Sequence, residues 1–297
     1  MPASTVNSPE LTREQIQAIL VQPLTAASVF LGSGPRIFDV TAAGPVRIPK
    51  LNGMGDPSWH GENEKINEVD ADFGEVVLLD GVKSLKSITR YSNELARSSV
   101  VALDAALRDR MVLDVAGKLD TALIASNGDP DGVTGKNTTP LGLLNYSGSQ
   151  AMLGVGSLTL DDLHDAVGLA LGANANVTSM RWMMRSDTFV SLRKLKDTSG
   201  KYLLEPDPTQ AGAYRLLGLP VTVTNRIPGD LGAGSNETVV VLWDPAQVAV
   251  ARDMTPSVKL LDQTYADYDQ QAIRVVCRYD AAPLNPEAVV VLRGVTA

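Results

Sequence analysis

The chain has 297 residues, 44% hydrophobic content and a formal charge of −8, enough for one large or two ordinary domains with a normal buried core. The acidic balance argues against tight, sequence-reading nucleic-acid binding, which shows a basic face as its electrostatic footprint. No run of about 18 apolar residues occurs, and the first residues, MPASTVNSPELTREQ, lack the basic-then-apolar pattern of a signal peptide, so no membrane association and a cytoplasmic origin are expected.

Ser8 to Val21 reads as a short amphipathic helix, with Leu11, Ile16, Ile19 and Leu20 near helical spacing and Pro9 in the first turn. Pro23 and the Gly32-Ser33-Gly34-Pro35 turn lead into two β-like pieces, Arg36 to Val40 and Val46 to Leu51. Between Asn52 and Asp72 the chain is glycine-rich and poorly apolar, and Phe73 to Arg90 returns to β-rich character. These segments read as one extended hairpin with nothing of its own to pack against. An isolated two-stranded hairpin is marginal in water, so its natural partner is another subunit.

Ser92 is a helix N-cap with Glu94 in the first turn, and apolar residues recur from Leu95 to Leu123 until Asn127-Gly128 supplies a stop. A helix of about 35 residues would span roughly 52 Å, whereas a compact chain of this length is a sphere roughly 50 Å across. The molecule should therefore be elongated or flat. A second helix is expected over Leu160 to Leu171, with Thr159 and Asp162 in capping-box spacing. Strands are expected at Met180 to Met184, Val221 to Thr224, Thr238 to Trp243 and Val248 to Ala251, and a helix at Asp187 to Lys196 capped by Ser186. Two last strands, Ile273 to Tyr279 and Ala288 to Leu292, flank the prolines at 283 and 286. The mixture is α+β, without internal repeat.

Chemistry-bearing residues are few. Of two histidines, His60 sits in the glycine-rich loop and His164 in Asp161-Asp162-Leu163-His164-Asp165, which reads as a solvated first helical turn rather than a metal site. GDPDGVTGKNTT, from Gly128 to Thr139, has Pro130 where a phosphate-binding loop needs glycine and Asn137 where it needs Ser or Thr. It also lacks the closing Glu of a calcium loop, and it reads as a turn. The single Cys277 alternates with Ile273 and Val275 in a strand and reads as core filler. Glu62, Glu64, Glu68, Asp70, Asp72 and Glu75 stand against one cation, Lys65. They form either a solvated acidic loop or a docking surface for a neighbour's basic patch.

The order of these parts resembles the major capsid proteins of tailed double-stranded DNA bacteriophages, the fold named after phage HK97. The residues that carry the resemblance are SDTFVSLRKLKDTSGKYLL (Ser186 to Leu204), LLGLPVTVTNRIP (Leu216 to Pro228) and IRVVCRYDAAPLNPEAVVVLRG (Ile273 to Gly294). The resemblance implies an N-terminal arm over residues 1–45 and an extended hairpin, the E-loop, over 46–90. A peripheral domain with a spine helix follows over 91–135, an axial domain over 136–262, and return strands of the peripheral domain over 263–297.

By the same resemblance, copies assemble into pentamers and hexamers of an icosahedral virion shell around packaged DNA, contacted without sequence specificity. The arm and E-loop reach over adjacent subunits, which accounts for residues 1–90 lacking a private core. Trp59, Glu62, Glu64, Lys65, Glu68 and Phe73 are the candidate inter-subunit contacts. Phage HK97 crosslinks an E-loop lysine to an asparagine with the help of a glutamate; here Gln271 and Arg278 stand at those positions, so no isopeptide crosslink is expected. Too little sequence precedes Pro23 for a fused scaffolding segment, so a separate scaffolding protein or none is expected, with a portal and decoration proteins as further partners. No catalytic residue, metal or cofactor is expected. An encapsulin-like compartment shares the implied fold, and an α+β enzyme or a compact monomeric binding module are the alternatives from other classes.

Overall fold

A computed structural model describes residues 28–40, 45–54, 58–63, 65, 68, 71–79, 83–93, 103–130, 137–196, 199–200, 202, 214–253, 257–261 and 266–296. The expected helix at Ser8 to Val21 lies outside them. In chain order the elements are α1 (Val29–Gly32), β1 (Arg36–Val40), β2 (Val46–Met54), β3 (Ala71–Leu78), β4 (Ser84–Ser92) and α2 (Leu103–Ala125). Then come β5 (Gln150–Met152), β6 (Gly156–Ser157), α3 (Leu160–Gly172), β7 (Arg181–Met184), α4 (Ser186–Arg193), β8 (Arg215–Leu216) and β9 (Leu219–Val223). The chain closes with β10 (Glu237–Trp243), β11 (Val248–Asp253), β12 (Ser257–Leu261), β13 (Gln270–Pro283) and β14 (Val289–Thr296).

Three sheets result. A five-stranded sheet runs β1-β11-β13-β12, with β4 also paired to β13, and a seven-stranded sheet runs β5-β14-β10-β7-β9-β8, with β6 also on β14. β2 and β3 form a two-stranded hairpin. The apolar runs Val239 to Trp243 and Val289 to Leu292 belong to two central strands covered on both faces, the pattern expected of a doubly buried sheet. Their period of two divides them between cores: Val239, Val241, Trp243, Val289 and Val291 join the cluster under α2. Val240, Leu242, Val290 and Leu292 join a second cluster with Trp182 and the apolar side of α3.

Besides the connection through α2, the chain passes between the two large sheets at Asp244-Pro245 and Asn285-Pro286, and these two crossings lie side by side. Asp244 accepts from Ala246 N–H at 3.0 Å and Asn285 from Glu287 N–H at 3.1 Å, so each passage is an Asx turn with proline fixing φ in the first position. Backbone bonds from Asp244 N–H to Ala288 and from Leu284 N–H to Gln247 tie the passages together. Consequently β11 pairs with β1 and β13 in the five-stranded sheet, and β14 pairs with β10 in the seven-stranded one. The strands thus exchange sheets at the two prolines: β11, within residues 136–262, joins the five-stranded sheet, and β14, within residues 263–297, joins the seven-stranded one.

α3 begins with the expected capping box: Thr159 Oγ1 accepts from Asp162 N–H, and Asp162 accepts from Thr159 N–H at 2.8 Å. α4 begins at Ser186 with Arg185 in the cap position, and the Ser186 hydroxyl instead donates to Asn225 at 2.7 Å. The described part of the spine helix, α2, has 23 residues and a length of roughly 35 Å; residues 94–102, which the long-helix expectation also spans, lie outside the described residues. Met111, Val115, Leu119 and Leu123 set its buried stripe.

Among the described residues, 1–90 form no cluster from their own side chains alone, yet part of them packs on the body of this chain rather than on another subunit. Phe30 and Leu31 are buried in the main cluster, with the Phe30 ring stacked on Trp243 at 5.2 Å between centroids and 9° between planes. Asp120 of α2 accepts hydrogen bonds from the Ser28 hydroxyl, Val29 N–H (2.8 Å) and Phe30 N–H (3.2 Å). The hairpin is also shorter than expected: it closes at Leu78, whereas β4 lies along β13 from Ser84 to Ser92. Ser84 to Arg90 therefore belongs to the body, because its alternating Leu85, Ser87, Thr89 and Tyr91 continue the packed face of β13.

Candidate functional site

The hairpin β2–β3 pairs with neither large sheet, and its foot is held from three directions. Leu78 is buried with Ala249 and Ala251, and Phe38, Val40, Val46, Ile48 and Val76 pack around them. Immediately after Leu78 the backbone of Leu79 adopts φ 57°, a left-handed conformation that favours glycine. Asp280 Oδ2 secures that turn, accepting from Leu79 N–H at 2.7 Å and from the Lys83 ammonium at 2.7 Å, while Oδ1 accepts from Ala281 N–H at 2.9 Å. On the other side of the foot, Arg252 donates from Nη2 to Asp39 Oδ1 at 2.6 Å, joining β11 to β1.

Asp280 also acts at a distance. Burial pushes the Tyr146 hydroxyl far above its ordinary value, and the charge of Asp280 adds to that rise. The Tyr146 hydroxyl is buried without a hydrogen-bond partner among the described residues, so it remains neutral. Burial likewise pushes the Cys277 thiol up to about 12, as befits core filler rather than a nucleophile.

Of the candidate contacts, Trp59 is fully exposed, and Glu62, Lys65 and Glu68 are exposed in the same loop between β2 and β3. Glu64 lies outside the described residues. Phe73 sits on β3 opposite Leu51 of β2. His60 is held by the Ser58 hydroxyl at 2.9 Å. His164 is exposed on α3, and among the described residues no group of three or more His, Cys, Asp or Glu could hold a metal ion.

Gln271 and Arg278 both lie on β13, seven residues apart within an unbroken register against β4, so they project from opposite faces of the sheet. Gln271 accepts from the Tyr91 hydroxyl at 3.2 Å, and Arg278 lies 3.8 Å from Asp253. Sequence reasoning missed the anchors Asp280, Lys83 and Asp120, each joining segments more than 90 residues apart. Only a buried charge in an otherwise apolar stretch, as at Asp120 between Leu119 and Leu123, signals such a role locally.

A family model described as the phage capsid family matches residues 11–294. The chain belongs to the phage capsid family. Within it, the major capsid protein of Klebsiella oxytoca phage phiKO2 is 26% identical over 267 residues, covering 85% of this chain and 60% of that protein. The chain thus spans about 60% of the length of this curated relative. Among solved structures, the capsid of a native GTA particle superposes with TM-score 0.70 at 17% identity, over 90% of each chain. A chain from Microbacterium phage Oxtober96 gives TM-score 0.70 at 16% identity, covering 98% of this chain and 99% of that one. One from Mycobacterium phage Cain gives TM-score 0.67 at 16% identity over 98% of each. At these identities the likeness establishes the fold, which is the α+β, HK97-like capsid fold that the order of elements implies. Among the described residues of this capsid-family chain, no helix is long and apolar enough to cross a membrane.

Proposed function

We propose that this chain is the repeating subunit of an icosahedral phage shell, assembling through pentamers and hexamers around packaged double-stranded DNA. The observation that carries the reading is the hairpin β2–β3. Its foot is clamped by Asp280, Lys83 and the Leu78 cluster, while its loop presents an unburied Trp59 beside exposed acids. An arm held at one end and carrying an exposed tryptophan among acids at the other is built to reach a neighbour. An exposed tryptophan is the residue type that most often anchors an interface, and Trp59, Glu62, Glu64, Lys65, Glu68 and Phe73 are the contacts we assign to it.

Rings form when a head-to-tail contact closes by rotation, and the same arm then serves five-fold and six-fold positions. The acidic chain faces DNA without reading its sequence. A separate scaffolding protein, a portal and decoration proteins complete the particle, which is built in the host cytoplasm. The shell is held by burial and hydrogen bonds without isopeptide links, in keeping with Gln271 and Arg278 on opposite sheet faces.

Light scattering coupled to size exclusion, followed by negative-stain microscopy of the expressed chain, tests this. Rings or hollow particles support it, and nucleic acid inside particles from infected cells separates a virion shell from an enzyme-loaded compartment. A stable monomer with small-molecule turnover would overturn it. Ladders surviving boiling in denaturant and reductant would overturn the uncrosslinked shell.

A further inference from the structure

A cleft of about 510 Å³ opens between the C-terminal half of α2 and the loop that follows β9. Thr121, Arg185, Asn225, Arg226, Gly229 and Asp230 line it. Two of these are arginines, and each guanidinium lies against a glycine. A Cβ on Gly117 would stand 2.9 Å from Cζ of Arg226, and one on Gly229 would stand 2.7 Å from Cζ of Arg185. Both groups therefore occupy space that a larger residue at either glycine would take from them.

The two arginines are prepared differently. Arg185 is fixed: its Nε donates to both oxygens of Asp187, at 3.1 and 3.3 Å, and its Nη1 donates to the Ile227 carbonyl at 2.8 Å. Among the described residues its Nη2 has no acceptor. Arg226 is held through its backbone, whose N–H donates to Thr224 Oγ1 at 3.2 Å. Its exposed guanidinium has neither an ion pair nor a hydrogen bond among the described residues. Asn225 accepts through Oδ1 from the Ser186 N–H at 3.2 Å and hydroxyl at 2.7 Å, which leaves its Nδ2 as a third donor without an acceptor. Asp230, which is exposed, is the one carboxylate among the lining residues.

Donors arriving from three side chains suit a negatively charged group with three or more acceptor oxygens. A tetrahedral oxyanion meets that description, whereas a planar carboxylate presents two oxygens. We propose that the cleft between α2 and the loop after β9 is a phosphate-binding site, with Arg226 and Arg185 as its cationic donors and Asn225 as the third. Arg226 supplies the unpaired charge. Arg185, whose own charge Asp187 balances, supplies direction. The phosphate belongs to a free polyphosphate or nucleotide or to a nucleic-acid strand, and its chemistry at the cleft is the same. The site stands on the cleft itself and goes beyond the shell reading; only a packaged duplex as the source rests on that reading.

The test uses the full-length chain with two probes, inorganic pyrophosphate read by thermal midpoint and a short fluorescent duplex read by anisotropy. Pyrophosphate should raise the midpoint of the parent. Arg226→Ala, at an exposed position whose loss leaves the core intact by circular dichroism, should weaken binding roughly tenfold as charged hydrogen bonds are lost. Arg226→Lys should recover part of this, because an ammonium cannot reproduce the fork. Gly117→Ala separates site from fold: its methyl displaces the Arg226 guanidinium while raising helix propensity. Its stability should hold or rise while affinity falls roughly threefold or more, a division that a merely structural role for Arg226 would not produce. If the duplex is held at the cleft, Arg226→Ala should also lower the slope of log affinity against log salt by about one. Displacement of the duplex by pyrophosphate assigns the strand as source, and pyrophosphate binding alone assigns a free phosphate; both uphold the site. Equal affinity of the parent and Arg226→Ala for both probes would overturn it, as would no binding of either. A chain that binds pyrophosphate through Arg226 yet forms no shell keeps the cleft and rejects the shell reading.

Discussion

Asp280 and Lys83 lie 2.7 Å apart with side chains 2% and 11% exposed, and the same carboxylate oxygen holds the backbone N–H of Leu79. One buried acid thus fixes both the ion pair and the left-handed turn from which the hairpin departs. Its removal strands a buried ammonium and a buried N–H together. Asp280→Ala should cost about 3–5 kcal/mol in urea unfolding of the unassembled chain. Lys83→Met combined with Asp280→Asn retains an acceptor for Leu79 and should cost clearly less than Asp280→Ala.

The Phe30 ring stacked on Trp243 ties the arm segment to the crossing between the two large sheets. Phe30→Ala should destabilise by about 3–5 kcal/mol and remove near-ultraviolet dichroism from Trp243. Asp120→Ala should act at the same place from below, since three donors lose their acceptor. Hydrogen exchange at Val29 to Leu31 should then rise while α3 stays protected.

Two buried glycines should respond in opposite directions to alanine. At Gly117, in mid-α2, a Cβ would meet only the guanidinium of Arg226, at 2.4 Å, the mobile end of an exposed side chain. Once Arg226 swings aside, Gly117→Ala should gain up to about 1 kcal/mol from helix propensity. At Gly142 the same carbon would lie 2.6 Å from Ser126 N and 2.7 Å from the Ala125 N, backbone that cannot yield. Gly142→Ala should cost roughly 2 kcal/mol or more. Thermal midpoints of the two variants check the contrast.

Cys277 gives a pH dependence. Its thiol is pushed up to about 12 by burial, whereas in the unfolded chain it ionises near about 8.5. The neutral folded form contributes stability that is complete below about 8.5 and is lost as pH rises through the folded value. Native protein should resist an aromatic disulfide reagent at pH 8 and react fully once unfolded. Rapid native labelling at that pH would contradict the burial of this strand.

The urea midpoint should fall from about pH 9 upward, and Cys277→Ser should flatten that decline.

Much of the architecture is written in local pattern. The Thr159–Asp162 capping box, the alternation of Ile273, Val275 and Cys277, and the unbroken apolar runs at Val239 to Trp243 and Val289 to Leu292 each specify an element through its own period or cap. The order of those elements implies the capsid fold. The same local reading extended the hairpin to Arg90, because Phe73 to Leu78 and Ser84 to Arg90 are both β-rich and nothing within either segment states which strand it will pair with.

Sequence by itself determined the elements, the acidic loop and the family, since these depend on residues near one another in the chain. Only the tertiary structure decided that β11 and β14 exchange sheets at Pro245 and Pro286, that Asp280 and Asp120 anchor distant segments, and that Arg185 and Arg226 line one cleft. Strand register between segments nearly 200 residues apart is set by which faces can be buried together. That condition is satisfied by the folded whole and recorded in no single stretch of it.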